Sequence, residues 1–396
     1  MDTSDCSVLT KVVNLGTPLS AIVPYAGERL TTLVGTMLLC IGMITSSFVQ
    51  SYYVLYLTYG VIAGLGSGVV HYTGSVIVVK HFHSKWRPFA VSISNSGSSV
   101  SALVLPPLMV ALNEAYDWRK TFLVLGCISS VGLFSAATFY QPKEIAIPAS
   151  SDKNSENTDE KDVDDGNIAD QPLKQQILEI IRNIDFMTFL MSSVLTFLVV
   201  FSPPTFLPDL MLESNIEEYQ ISWCIIAMGF GNLFGRIICG IVASRFCDHV
   251  QLIHGLVLCG YAITIVLMAF VNNLAAFMVL STFVGVFNGG FFGLYISVVA
   301  YHLRMEHVAT GFGMAYTLNG ITSVAGLPLA GCVTDYFKSE SGSFIFSGCV
   351  MMFAALVLCF IKLRHCFIGR SEDGNANENK NYTENNFVLI SASTYL

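Results

Sequence analysis

Long apolar stretches alternate with short polar segments along most of the chain. An α-helix of about 20 apolar residues is long enough to cross the hydrocarbon core of a bilayer. Ten stretches reach this length, and a weaker eleventh at 8–24 is interrupted by Lys11 and by prolines. The ten lie near residues 30–48, 53–79, 88–112, 119–139, 186–211, 219–243, 250–270, 274–300, 307–334 and 342–362. The pattern predicts an all-α membrane protein.

The composition supports a membrane-embedded chain. Of the 396 residues, 53% are hydrophobic and only 12% are charged, whereas soluble domains carry about 25% charged residues. No basic patch suggests nucleic acid binding, and no cluster of ligands suggests a metal site. The predicted spans contain no pairing of a nucleophile with a base. We therefore expect no nucleic acid partner, no metal, no cofactor and no enzymatic activity.

One long polar segment divides the predicted spans into two sets. Residues 140–185 contain 11 acidic and 5 basic residues, and within this segment residues 148–172 are polar, acidic and free of aromatic residues. Such a composition is typical of a disordered linker. The predicted organisation is an N-terminal helical bundle at 1–139, an acidic cytoplasmic linker at 140–185, a C-terminal six-helix bundle at 186–362 and a disordered tail at 363–396.

The placement of lysine and arginine predicts the orientation. If the 140–185 segment is cytoplasmic, the loops and tail on that side hold 15 of the 20 basic residues. Cytoplasmic loops carry such an excess in membrane proteins. We therefore expect both the linker and the C-terminal tail to lie in the cytoplasm.

The two sets of spans resemble internal repeats. The segment 78–97 resembles 298–320 at an offset of about 220 residues, and GVIAGLGSG at 60–68 resembles GVFNGGFFG at 285–293. Parallel repeats are typical of transporters built from two similar helical halves. The expected architecture is a pair of bundles around a central site.

Four segments resemble the monocarboxylate transporter family of the major facilitator superfamily, over roughly residues 14–362. They are GTPLSAIVPYAGERLTTLVG (16–35), KHFHSKWRPFAVSISNSG (80–97), YDWRKTFLVLG (116–126) and GNLFGRIICG (231–240). The resemblance implies a major facilitator fold and transport by alternating access. It also implies a small organic anion or an amino-acid-like substrate, a plasma-membrane location, lipid contacts, possible symport and an accessory single-span protein.

The start of the chain departs from the family pattern. The acidic, glycine- and tryptophan-containing motif of the family's first helix is not found near residues 1–24. We therefore expect about 11 of the usual 12 transmembrane helices. This departure also motivates an alternative function, in which the protein is a truncated relative that regulates or senses rather than transports.

Arg236 is the most informative single residue of the sequence. It lies nine residues before Arg245, or about 13 Å from that end of its span at 1.5 Å per residue. A charge near the middle of a bilayer costs at least about 2.5–3.5 kcal/mol, so it should face a cavity or a partner. Its planar guanidinium matches a carboxylate. We expect Arg236 to bind the substrate carboxylate, or else to be a structural anchor bonded to backbone carbonyls or an amide.

Three further polar residues in the spans are candidates for substrate binding. Asn232 lies one turn before Arg236, and the proton-coupled members of the family have an aspartate there; Asn288 corresponds to an aspartate in some relatives. Because amides do not titrate, these two positions do not supply the proton relay of those relatives, and both asparagines could instead pair helices. His71 could titrate near neutral pH or could form a packing hydrogen bond.

The family signature suggests a cytoplasmic gate. Its candidate residues are Gly27, Arg29, Lys85 and Arg87, although the two basic residues of the second signature segment could simply follow the charge bias of cytoplasmic loops. Phe291, Phe292 and Tyr295 could line an apolar pocket or belong to the core.

Overall fold

The computed structural model describes residues 28–82, 85–138 and 173–359, and all of the regular structure in these ranges is helical. The helices are α1 Glu28–Ser47, α2 Tyr53–His81, α3 Arg87–Ala115, α4 Trp118–Ser129, α5 Val131–Thr138, α6 Leu173–Arg182, α7 Ile184–Val199, α8 Ser202–Glu213, α9 Glu218–Arg245, α10 Val250–Met268, α11 Leu274–His302, α12 Met305–Phe337 and α13 Glu340–Cys359. The eight residues Tyr56–Ala63 within α2 are π-helical.

Nine helical segments of the described ranges are long and apolar enough to cross a membrane. They correspond to nine of the ten predicted spans, with α4 and α5 forming one span and α7 and α8 forming another. The tenth prediction, 307–334, falls in α12, which has 33 residues and several polar side chains. The predictions for residues 8–24 and for the C-terminal tail lie outside the described residues.

Helix α9 shows how the sequence separates a lipid-facing side from a packed side. Phe230, Phe234 and Ile238 recur every four residues and are about half exposed, which suits a surface covered by lipid tails. Arg236 lies on the packed side and is only 7% exposed. The charged residue therefore faces the interior of the protein rather than the lipid.

Paired glycines bring α9 and α11 into backbone contact. Gly231 and Gly235 on α9, and Gly285 and Gly289 on α11, are each spaced four residues apart. A Cβ atom added to any of the four would overlap a backbone carbonyl oxygen of the opposite helix. Small residues at this spacing allow close helix approach in membranes. The two helices that carry the candidate asparagines are thus held at minimal separation.

The two halves of the protein meet along α3 and α9, which run antiparallel. The Phe89 backbone N–H donates to Ser244 Oγ at 3.0 Å near one end of this contact. Further along, Ser99 Oγ donates to Asn232 Oδ1 at 2.6 Å. The Leu103 side chain lies against Gly229 beyond that point. A continuous seam between the halves therefore runs past the middle of both helices.

Two further pairs of helices, α2 with α12 and α3 with α11, also join the halves. Tyr72 of α2 donates from its hydroxyl group to the Ala309 carbonyl oxygen at 2.6 Å, and its ring stacks on Phe312 at 5.5 Å. Ser92 of α3 donates to the Gly293 carbonyl oxygen at 3.0 Å. These contacts close the halves on the side where α2 ends and α12 begins.

Helix α6 lies inside the segment that the sequence analysis assigned to the linker. Ile180 of α6 is 1% exposed, and Glu179 Oε2 lies 3.2 Å from His307 Nε2 of α12. Thr310 of α12 also donates to Gln176 at 3.1 Å. The end of the linker segment is therefore a helix that packs on the C-terminal half, which the sequence analysis did not predict.

Candidate functional site

A cavity of about 270 Å³ lies between the two halves. Its walls come from α2 and α3 on one side and from α7, α9, α11 and α12 on the other. The lining residues are His71, Ser75, Asn95, Ser98, Phe197, Phe201, Arg236, Phe292, Tyr295, Ile296, Phe312 and Tyr316. This position between halves is where an alternating-access protein would hold its substrate.

Arg236 reaches the cavity while bonded to both halves. Its Nε donates to Asn232 Oδ1 at 3.1 Å, one turn earlier on α9. Its Nη1 donates to the carbonyl oxygen of Asn95 on α3, and its Cζ atom lies 5.9 Å from the centre of the Phe292 ring. An arginine has five N–H donors, so these bonds within the described part of the chain leave three. The two interpretations of Arg236 from the sequence, substrate binding and structural anchoring, are thus compatible, because the same guanidinium makes anchoring bonds and also lines the cavity.

Asn232 and Asn288 form a hydrogen-bonded chain behind the guanidinium. Besides accepting from Arg236, Asn232 Oδ1 accepts from Ser99 Oγ, and its Nδ2 donates to Asn288 Oδ1 at 2.7 Å. Asn288 Nδ2 then donates to the Tyr261 hydroxyl oxygen at 2.9 Å. Neither asparagine is among the cavity-lining residues. Their position favours orienting Arg236 over direct contact with a ligand, although their role in binding stays a prediction.

A second polar cluster lies beside the cavity. Asn319 Nδ2 donates to the Tyr295 hydroxyl oxygen at 2.5 Å, and that hydroxyl lies 3.4 Å from Ser193 Oγ. Ser193 Oγ also donates to Asn319 Oδ1 at 3.1 Å. The cluster joins α7, α11 and α12 and fixes the Tyr295 ring at the cavity wall. Nothing in the sequence alone singled out Ser193 or Asn319.

His71 lies in the cavity wall on the N-terminal half. Its side chain is exposed to the cavity, and its ring centre lies 5.5 Å from that of Tyr316 across the site. The structure therefore brings His71 and Arg236 to one cavity from opposite halves. A second histidine within a span, His254, is 1% exposed and stacks on Phe291 at 5.2 Å. It belongs to the packed interior rather than the cavity wall.

The predicted gate residues lie at the ends of the N-terminal helices. Arg87 donates from Nε to the Val79 carbonyl oxygen at 3.1 Å, which ties the start of α3 to the end of α2. Arg29 and Lys85 are exposed, and Gly27 lies outside the described residues. Nearby, Lys80 Nζ lies 2.7 Å from Glu28 Oε1. A gating role for the predicted residues stays a prediction.

The three aromatic candidates on α11 separate into two environments. Phe292 and Tyr295 line the cavity, whereas Phe291 is fully buried and packs with the core. In the part of the chain that the structure describes, no group of three or more histidine, cysteine or acidic residues could hold a metal ion. The site is therefore a guanidinium, an imidazole and short polar side chains beside aromatic rings.

Two helical halves around a central cavity, with long apolar helices and an inward-facing arginine, define a solute transporter of the integral membrane class. A family model described as Major Facilitator Superfamily matches residues 15–260 and again residues 189–381. The chain belongs to the major facilitator superfamily.

Curated relatives are monocarboxylate transporters. Monocarboxylate transporter 2 of Rattus norvegicus is 25% identical over 89% of this chain and 73% of its own length. Monocarboxylate transporter 3 of Gallus gallus is 24% identical over 92% of this chain and 71% of its own length. Monocarboxylate transporter 7 of Homo sapiens is 23% identical over 94% of this chain and 80% of its own length. The resemblance noted in the sequence is thus confirmed over most of the chain.

Solved structures confirm the fold. The E. coli fucose:proton symporter FucP has a TM-score of 0.67 at 11% identity, covering 90% of this chain and 97% of its own. The human organic anion transporter MFSD10 (TETRAN) has a TM-score of 0.66 at 16% identity, covering 90% of this chain and 82% of its own. At these identities, the likeness establishes the major facilitator fold.

Proposed function

We propose that the protein carries small carboxylate-bearing organic anions across the plasma membrane by alternating access, with Arg236 holding the carboxylate. The observation that carries this proposal is a buried guanidinium that faces a cavity between the two halves. A carboxylate can accept two parallel hydrogen bonds from a guanidinium, and three N–H donors of Arg236 remain for it. The names of the curated relatives support the same substrate class.

Binding at Arg236 would be linked to movement of the halves. In the present state, Arg236 donates to the Asn95 carbonyl oxygen across the seam. A carboxylate bound to the remaining donors carries a full negative charge, so it attracts the guanidinium more strongly than the uncharged Asn95 carbonyl oxygen does and draws Arg236 away from α3. Because a ligand shifts a conformational equilibrium only through different affinity for the two states, this exchange supplies such a difference. Substrate binding would thereby loosen one contact between the halves.

The polar residues around Arg236 bear on coupling and on specificity. Asn232 and Asn288 contribute amides, so His71 is the candidate for any proton coupling, and we expect the proton dependence to be weak. We place the linker and the C-terminal tail in the cytoplasm on the basis of the basic residues. No covalent step is required, so we infer that the protein is not an enzyme. The accessory single-span protein implied by the family stays a prediction.

Substitution of Arg236 tests this proposal. Arg236→Lys keeps a positive charge but loses the planar donor pair, and we expect it to reach the surface while losing most uptake. Arg236→Leu removes a buried charge and should abolish uptake without a loss of surface expression. Arg245→Lys is the matched control, since Arg245 is exposed at the end of the same helix.

Uptake of labelled carboxylates should be measured beside surface biotinylation. If Arg236 were only an anchor, leucine would impair surface expression and lysine would be largely tolerated. Normal uptake by Arg236→Lys would remove the main reason for assigning a carboxylate substrate.

A further inference from the structure

The cavity has two walls of different chemistry. Besides Arg236 and Ile296, the C-terminal half contributes three pairs of aromatic side chains, Phe197 and Phe201, Phe292 and Tyr295, and Phe312 and Tyr316. The N-terminal half contributes His71, Ser75, Asn95 and Ser98, all of them polar. A ligand that fits this cavity should therefore have one apolar face and one polar face.

The aromatic wall is continuous because of the spacing within each helix. Phe292 and Tyr295 on α11, and Phe312 and Tyr316 on α12, lie three or four residues apart, which places each pair on one side of its helix; Phe197 lies near the end of α7 and Phe201 in the turn that follows. The Phe197 and Phe292 rings lie 5.8 Å apart between helices, and the Phe201 and Phe292 rings lie 6.3 Å apart. Such separations are typical of favourable aromatic pairs. The wall offers ring faces and edges for another planar, apolar group.

The cavity is too large to be filled by a three-carbon acid alone. An apolar cavity of about 150 Å³ accommodates benzene, and this one has about 270 Å³. The remaining space suits a short carboxylate arm that extends from a ring toward Arg236. A small acid such as lactate would leave the aromatic wall uncovered and would gain nothing from burying it.

The charges of the lining exclude an ammonium group. Among the cavity-lining residues of the described chain, Arg236 is the permanently charged side chain, and no aspartate or glutamate is present. A buried charge without an opposite partner is costly, so the α-ammonium of an amino acid would be disfavoured beside a guanidinium. Hydroxyl and carbonyl groups, in contrast, find partners in Ser75, Ser98 and the amide of Asn95.

We propose that the preferred substrates are aryl-substituted 2-hydroxy or 2-oxo acids that lack an amino group. The carboxylate would bind Arg236, the ring would pack on the aromatic wall, and the hydroxyl or oxo group would face the polar wall. This inference rests on the proposed function and narrows it to one chemical class.

Three compounds that differ by one feature each test this specificity. 3-Phenyllactate has the ring and the hydroxyl, lactate lacks the ring, and phenylalanine replaces the hydroxyl by an ammonium. The full chain should be assayed for uptake of labelled 3-phenyllactate, with the other two as competitors. We expect the half-inhibitory concentration of unlabelled 3-phenyllactate to be at least about tenfold lower than that of either competitor. Lactate lacks the ring, and even one methylene in an apolar pocket changes discrimination by about 10–200-fold; phenylalanine would bury an ammonium without an opposite charge.

A pair of phenylalanine substitutions shows whether the aromatic wall is the cause. Phe201→Leu should reduce the preference for 3-phenyllactate over lactate several-fold, whereas Phe283→Leu should not change it. Phe283 lies on α11 and is 49% exposed, away from the cavity lining. Thermal stabilisation of the purified full chain by each compound gives a second measurement of binding if surface expression of a variant is low.

The outcomes distinguish this inference from the broader proposal. Competition by lactate equal to or stronger than that by unlabelled 3-phenyllactate, with loss of uptake in Arg236→Lys, would overturn the aryl specificity and leave carboxylate transport in place. Equal competition by phenylalanine would overturn the exclusion of ammonium and would indicate that the ring faces bind a cation instead. If none of the three compounds bound to the protein or was taken up, both the aryl specificity and the proposed carboxylate transport would be overturned.

Discussion

Substitution of a glycine between α9 and α11 should separate the two helices that support the guanidinium. A Cβ atom at Gly235 would overlap the carbonyl oxygen of Val286, and one at Gly289 would overlap that of Asn232. Because both obstacles are backbone atoms, no side-chain rotation relieves the overlap, and the helices must move apart. Overpacking of this kind costs about 1–3 kcal/mol.

The same substitution in an open position gives the control. Nothing lies within 4 Å of the position where a Cβ would be added at Gly74. Replacement of glycine by alanine inside a helix is favourable by about 0.5–1 kcal/mol when space is available. The Gly235→Ala and Gly74→Ala proteins should therefore change in opposite directions, although the chemical change is identical.

Thermal unfolding of the purified chain in detergent measures this difference. We expect Gly235→Ala and Gly289→Ala to melt below the unsubstituted protein and Gly74→Ala to melt at or above it. The substituted proteins should also lose uptake, because the Asn232–Asn288 hydrogen bond of 2.7 Å spans the same contact. A melting temperature for Gly235→Ala equal to that of Gly74→Ala would refute the close packing of α9 on α11.

Three further predictions concern the site, the linker helix and the orientation. Asn232→Asp places a carboxylate beside the Arg236 Nε, now 3.1 Å from the amide oxygen. The internal ion pair should compete with the substrate carboxylate and reduce uptake at neutral pH, and unchanged uptake would contradict this. Ile180→Ala should weaken the packing of α6 by about 2–5 kcal/mol, detach the helix and make it sensitive to limited proteolysis. Ile181→Ala should not have this effect, since Ile180 is 1% exposed and Ile181 is 46% exposed. Epitope tags inserted at 150 and after 380 should be labelled only after permeabilisation, and labelling on intact cells would reverse the orientation.

The positions of the spans could be predicted because bilayer thickness imposes a length on any apolar helix. Arg236 could be identified for a related reason, since a charge far from either end of a span requires a polar surrounding. The sequence analysis allowed a bond from Arg236 to a backbone carbonyl oxygen, but it could not identify that of Asn95, because any residue would supply the same acceptor. Sequence reasoning finds side chains more readily than it finds backbone partners.

The aromatic wall and α6 illustrate the second limit of the sequence. Phe197, Phe292 and Phe312 belong to three helices, and an apolar ring in a span is compatible with core, cavity or lipid until those helices are packed. Helix α6 has only ten residues, too few to be a span, and isolated helices of that length are marginal in water. Its stability comes from burying Ile180 against the C-terminal half, which is a tertiary effect.

In several hydrogen bonds between the halves, only one of the two partners can be removed by mutation. Tyr72, Ser92 and Arg236 each donate to a backbone carbonyl oxygen of the opposite half, and Ser244 accepts from a backbone N–H of the opposite half. Each of these bonds can be removed by substitution on one side only, since almost any residue would preserve the backbone partner. Natural variation at Asn95 or Ala309 would therefore leave the closed state intact, whereas single changes at the four side chains would shift the balance of conformations. Variants that alter transport without touching the cavity should concentrate at Tyr72, Ser92 and Ser244.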